Sequence, residues 1–149
     1  MAIASVNGTT LGVSASLPTT YDSNVTTGYP SLPFTAVGEV VDVGDLAKAY
    51  SVISHQGIGV DYPTKLKGTY DVGNITITLA RVTADAGQVI LDAALAASAS
   101  YAFQITLPSG GVGNFTGKVL KKGISAIKTN GVEMTAVEIA IDPQTVYEA

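Results

Sequence analysis

Between residues 68 and 107 the hydrophobic period changes twice, and this limits the possible folds more than any other feature of the chain. Ile75, Ile77 and Leu79 alternate with Thr76, Thr78 and Ala80, the period-2 pattern of a strand with one buried face. Asp85 is placed to cap a helix, with Gln88 at the reciprocal position of a capping box. Over about residues 85–98, Ile90, Leu91, Ala94 and Leu95 form an apolar stripe that needs a sheet to lie on. Tyr101, Phe103, Ile105 and Leu107 then alternate with Ala102, Gln104 and Thr106. A mainly β chain follows, with one helix covering a half-buried antiparallel sheet. No chemistry is visible in this scaffold.

Composition narrows the function classes. At 149 residues the chain is expected to form one domain, with 34–149 as its β core. Only 13% of residues are charged against 46% hydrophobic, about half the usual charged share. A surface so poor in charge is hard to keep monomeric, which suggests an assembly. The net charge is −4, with no basic stripe to neutralise phosphates, so a nucleic-acid-gripping protein is not expected. Cysteine is absent, which removes disulfides, thiolate metal sites and a cysteine nucleophile. The first residues lack the basic and apolar regions of a signal peptide, and no run is apolar enough for a membrane anchor. Synthesis in a cytoplasm is the default expectation.

Along the chain, residues 1–33 read as an extended arm, rich in Ser, Thr, Gly and Pro with few anchors beyond a short strand at Thr9–Ser14. On that reading, deleting them leaves the β domain folded but poor at assembling. Residues 34–43 are the next strand candidate, with Gly38 as a possible bulge. Residues 44–67 read as a long loop with apolar and aromatic anchors suited to docking on a neighbour. A loop at residues 108–113 feeds a strand around 114–120, with Gly123 as a break or bulge and residues 124–128 as a continuation. Thr129-Asn130-Gly131 signals a hairpin turn. The last strand starts with Val132, Met134 and Ala136 inward, then changes phase to Val137, Ile139 and Ile141. Either a bulge near Ala136 or burial of both faces explains that change, and Pro143 ends the strand.

Few residues suggest a reaction. His55 is the only histidine and has no nucleophile or orienting carboxylate in its vicinity, so a surface or interface imidazole is the better reading. Gly110, Gly111, Gly113 and Gly117 lead into a β segment, which fits a hairpin connection rather than a phosphate loop. Asp42, Asp45, Asp61 and Asp71 lack the spacing of a calcium loop and read as solvated turn acids. Asn7, Asn24, Asn74 and Asn114 head glycosylation sequons that Thr-rich β sequence yields by chance. No catalytic, metal or cofactor site is expected. The basic cluster Lys118, Lys121 and Lys122 is either a solvated strand face or a pairing surface for Glu133, Glu138 or Asp142 of another copy.

Taken in order, several segments resemble the tube protein of long-tailed bacteriophages, the lambda-like non-contractile tail tube family. Gly8-Thr9-Thr10-Leu11 resembles that family's early strand, and residues 37–46 (VGEVVDVGDL) the strand entering its long loop. Residues 67–71 and 73, with the Ile75–Leu79 alternation, resemble its following β segment; Asp85-Ala86-Gly87-Gln88 and Tyr101–Ile105 resemble its helix and the next strand. The resemblance implies an antiparallel β-sandwich or partial barrel, six copies closing a ring, and rings stacking into a hollow genome conduit. It further implies contacts made by the arm, the long loop and the final strand. Tape-measure, tail-tip and terminator proteins become the implied partners, a virion tail the location, and an acidic lumen that repels passing DNA the mechanism.

The subunit contacts expected on this reading are Leu11, Tyr50, Ile53, Ile58, Tyr62, Lys118, Lys121, Glu133 and Glu138. The short C-terminus leaves no room for the immunoglobulin-like domain of some relatives. Two rivals remain. One is a terminator or a type VI-like tube protein on the same fold. The other is a carbohydrate-binding β-sandwich with Tyr50, Tyr62 or Tyr70 as a stacking platform.

Overall fold

The computed structural model describes residues 8–44, 46–125, 131 and 133–148. Asn7, Asp45, residues 126–130 and Val132, several of which carry expectations above, lie outside the described residues. Five strands precede the first long apolar alternation: β1 (Thr10–Ser14), β2 (Thr35–Val37), β3 (Val40–Val43), β4 (Ala49–His55) and β5 (Thr64–Asp71). Next come β6 (Asn74–Ala80), the helix α1 (Ala86–Ala96), β7 (Tyr101–Thr106), β8 (Val112–Ser125), β9 (Met134–Ile141) and β10 (Tyr147–Glu148). The chain is mainly β with one helix, as its periodicity predicts.

The main sheet is antiparallel throughout, in the order β2-β1-β7-β8-β9-β6-β3, and β10 adds to β8 beyond the end of β9. Seven strands laid flat would put the outer two about 29 Å apart, at about 4.8 Å per step. Yet β2 and β3, the two edges, are joined by Gly38 and Glu39 alone. Three Cα steps span at most about 11 Å. The sheet must therefore curl until its edges nearly meet, a partial barrel that stays open between β2 and β3. Its concave face holds one core, in which Leu11, Val13, Ile75, Ile77, Leu79, Phe103, Phe115, Val137 and Ile139 are essentially inaccessible. Phe103 and Phe115 face each other across β7 and β8 with ring centroids 5.2 Å apart.

The start of α1 occupies the open seam. Asp85 caps the helix by accepting from the Gln88 amide at 3.0 Å, and the same carboxylate accepts from the Gly38 amide at 3.2 Å. Gln88 does not close a reciprocal capping box. Its side chain is buried and bonds outward instead: Nε2 donates to Ala80 O at 2.9 Å and Gly38 O at 3.3 Å, and Oε1 accepts from the Val82 amide at 3.0 Å. Gly87 is required here, because a Cβ would lie 2.5 Å from Ala36 O and 2.6 Å from Val37 Cα. The link also contains the only described non-glycine residue with positive φ, Glu39 at 59°. The helix buries Gly87, Gln88, Leu91 and Ala94, while Ile90 is half-buried and Leu95 exposed, so the expected stripe is shifted toward the N-terminus.

Several expectations are corrected. Residues 34–43 are two strands on opposite sheet edges, and the bulge falls at Val41, which alone lacks a partner in β6. Residues 112–125 form one strand bulged at Leu120, and the break expected at Gly123 is absent. β9 itself stays in phase without a bulge near Ala136: Thr135, Val137, Ile139 and Ile141 point inward, while Met134 and Ala136 lie on the other face. The arm is corrected from Thr10 onward. β1 lies inside the sheet between β2 and β7, and Tyr29 is fully buried with its hydroxyl donating to Thr145 O. Residues 15–34 fold back over the outer face of β1, where a Cβ at Gly12 would lie 3.1 Å from Phe34 Cβ. Deleting residues 1–33 therefore removes an interior strand rather than an appendage.

Two outcomes test this packing. Gln88→Ala removes the side-chain partner of three part-buried backbone groups and should cost roughly 2–4 kcal/mol in urea unfolding. A loss under about 1 kcal/mol would show that the seam does not depend on this side chain. Burial pushes the Tyr29 phenol well above the ordinary tyrosine value. The unfolded chain therefore gives up this proton first, at about pH 10. The stability Tyr29 contributes is complete below that pH and is lost as pH rises from there toward the folded-state value. Tyr29→Phe should cost about 1 kcal/mol at neutral pH and show a shallower alkaline loss between about pH 10 and 12 than the parent.

Candidate functional site

Residues 44–67 are not a loop. Tyr50, Val52 and Ile53 supply β propensity, and β4 pairs with β5 in a two-stranded antiparallel ribbon separate from the main sheet. Gly68 and Thr69 of β5 together oppose Ser51, a bulge that adds twist near the ribbon's base. The tip turns through Gly57 and Gly59 (φ 89°), with the Val60 amide donating to Gly57 O at 3.2 Å and Gln56 Nε2 to Val60 O at 2.8 Å. Ile58 sits on this turn at 108% relative exposure. Turn summits favour Gly, Asn, Asp and Pro, and a bare isoleucine has no local reason to be there.

The base is fastened by aromatic and cationic contacts. Tyr50 and Tyr70 face each other across the strands with centroids 5.3 Å apart, tilted by 51°. Lys67 Nζ lies 3.7 Å from the Tyr50 ring centroid, and Lys48 Nζ lies 5.3 Å from that of Tyr70. These contacts organise the ribbon without burying it. Every residue of β4 is exposed, and in β5 only Gly68 is partly covered. Tyr50, Val52, Ile53, Ile58, Val60, Tyr62, Leu66 and Tyr70 make up eight of the eighteen exposed large apolar residues among those described. Isolated two-stranded hairpins are marginal in water, and an apolar concentration of this kind marks an interaction surface.

The expected contact residues separate clearly. Tyr50, Ile53, Ile58 and Tyr62 all lie on the ribbon and are exposed. Leu11 is corrected: at 1% exposure in an interior strand it belongs to the monomer core. Lys118, Lys121 and Glu133 are exposed on or beside the β8–β9 pair. Lys121 is directly opposite Glu138 in the same chain, and Glu138 accepts from Asn74 Nδ2 at 2.9 Å. Lys122 pairs with Asp92 of α1. Of this basic cluster, Lys122 alone forms an ion pair among the described residues.

No group of His, Cys, Asp and Glu among the described residues is arranged to hold a metal ion. His55 is exposed on β4 opposite Thr64, and the glycine loop is the β7–β8 turn, where the Leu107 amide donates to Gly111 O at 2.8 Å. Lys67 covers one face of Tyr50 and the Tyr50–Tyr70 pair is tilted by 51°, while Tyr62, the third aromatic candidate, is exposed on the ribbon. Among the described residues, no helix is long and apolar enough to cross a membrane. A groove of about 720 Å³ lies at one end of the curled sheet, between β3, the β7–β8 turn and β10. No sequence pattern marks it, because its walls come from four segments: Gly8 and Thr9, the β3 region, the β7–β8 turn and Glu148.

Replacing residues in the two classes should give opposite results. Leu11→Ala is expected to cost about 2–5 kcal/mol in denaturant unfolding. Tyr62→Ser should change monomer stability by less than about 0.5 kcal/mol. Comparable losses for both would put the ribbon in the monomer core.

No protein-family model and no curated protein matches the sequence. Solved structures do. A chain of the anti-feeding prophage baseplate, 6-fold symmetrised, matches with TM-score 0.65 and 9% identity, over 100% of this chain and 97% of that one. A chain of the sheath/tube terminator of the extracellular contractile injection system PVC, in its extended state, matches with TM-score 0.65 and 12% identity, over 100% and 98%. The SPP1 tail tube matches with TM-score 0.51 and 10% identity, over 89% of this chain and 72% of that one. At such identities the likeness establishes the fold: this chain has the fold found in phage tails and contractile injection systems.

Proposed function

We propose that the chain is a structural, non-catalytic subunit of a phage-type tail tube, with each copy completing its neighbour. The observation that carries this reading is the projecting ribbon, whose apolar surface a single copy cannot cover. A ribbon of one copy laid on a different surface of the next makes a head-to-tail contact, which closes into a ring or grows as a filament. Six copies per ring and stacked rings are the arrangement proposed, with lambda-like long tails as the setting. A chain with net charge −4 suits a conduit for DNA, because acidic walls repel phosphate instead of binding it. Tape-measure, tail-tip and terminator proteins would be its partners in the virion, after synthesis in the host cytoplasm.

The likeness to a sheath/tube terminator supports a second reading, a subunit that forms one ring and stops. Negative-stain electron microscopy over a concentration series separates the two. Stacked rings or hollow tubes are expected from a tube subunit, and single rings alone from a terminator. Ile58→Asp should abolish both forms while leaving the circular dichroism spectrum unchanged. Assembly that survives this substitution would remove the ribbon from the interface.

A further inference from the structure

We propose that the groove at the open end of the sheet is the acceptor for the ribbon tip of a second copy. This rests on the self-assembly reading above and adds the receiving surface to it. The floor is apolar, formed by Val43, Leu46, Ile105 and Val112, and a Cβ on Gly113 would lie 3.2 Å from Leu46 Cδ2. The rim is acidic, with Asp42 and Glu148 both exposed. The ribbon brings an apolar tip and, with Asp61 in its tip turn, still a net positive charge. Ile58 stands bare at its tip, and Lys65 and Lys67 share one of its faces, opposite Ser54 and Val52.

Reach decides that the occupant is another copy. The ribbon leaves its own body beside the groove, since Leu46 lines the groove and β4 begins at Ala49. The seven residues of β4 then carry the tip about 24 Å away, at about 3.4 Å per residue. A copy cannot seat its own tip in its own groove. Donor and acceptor are different surfaces, so the contact is heterologous and can propagate. Opposite charge at the rim would steer the tip in and disfavour groove-to-groove encounters.

The chain contains no cysteine, so engineered pairs report cleanly. Ile58→Cys and Leu107→Cys are made in separate full-length chains, one carrying a mass tag, then mixed and oxidised mildly. Leu107 lines the groove and is partly exposed. Ile124→Cys, exposed on β8 away from the groove, replaces Leu107→Cys as the control. The mixed disulfide should form at least about tenfold more in the Ile58/Leu107 mixture than in the control.

Charge reversal supplies an independent readout. Asp42→Lys with Glu148→Lys, or Lys65→Glu with Lys67→Glu, should each suppress sedimenting assemblies, and all four together should restore them. Restoration excludes misfolding as the cause of either loss. Equal disulfide yields in test and control, with Ile58→Asp still blocking assembly, would overturn the groove as acceptor and leave ribbon-driven assembly standing. A parent protein that neither associates nor cross-links at any concentration would overturn both.

Discussion

The fold depends on a seam held shut by side chains rather than by a strand ladder. A sheet whose two edges are joined by Gly38 and Glu39 cannot lie flat, and its edges are not hydrogen-bonded to each other. The gap exposes backbone groups to the interior, where each unpaired group costs about 1–3 kcal/mol. Gln88 meets both halves of that problem, giving its amide hydrogens to Gly38 and Ala80 and its oxygen to Val82. Asp85 holds Gly38 from the other side while capping the same helix. These bonds fix the helix in position and rotation on the sheet. Gly87 permits the approach, since any larger residue would strike β2.

This division explains what the residue pattern revealed and what it hid. Alternation in β6 and β7 is visible because each strand has one face on the core, and Asp85 is a capping residue by type and place. The role of Gln88 was legible only as half a capping box, because its true partners at Gly38 and Ala80 come from the tertiary closure. Residues 49–71 gave no alternation because neither face of the ribbon packs on the body, so burial imposed no period on it. β9 looked out of phase because Met134 and Ala136 are apolar residues on its other face, although its own inward set is regular. Leu11 and Val13 were too few to outweigh the surrounding Ser, Thr and Gly, yet a strand of five residues between two neighbours needs no more. At the assembly surface, Tyr50, Ile53, Ile58 and Tyr62 were legible as apolar residues out of place. The groove was not, since it exists only after folding.

Edge management links the body to the ribbon. The outer strands of the main sheet are short, three residues in β2 and four in β3, and the seam covers the side where they approach each other. Short, covered edges protect a sheet from indiscriminate pairing. The ribbon is the reverse, with seven- and eight-residue strands, free outer edges and apolar side chains on both faces. Unguarded strand edges are thus concentrated in one element. The low charge content of the chain becomes intelligible on the same ground.

On the proposed assembly, the distribution of that charge gives the association a direction. Residues 48–71 hold Lys48, Lys65 and Lys67 against Asp61 and Asp71, a net +1, so the remainder carries −5 of the total −4. Bodies of like charge repel, and each is attracted to the ribbon of another copy, most strongly where acids such as Asp42 and Glu148 border an apolar recess. These terms act over about 10 Å at moderate salt and decide which surfaces meet. The apolar tip then supplies the affinity, because burying an isoleucine yields about 1.5–3 kcal/mol and a repeated contact multiplies it. An uncharged ribbon would associate as strongly once docked and would have no means of choosing the groove over another ribbon. Separating selection from affinity in this way allows a weakly charged subunit to assemble in one orientation.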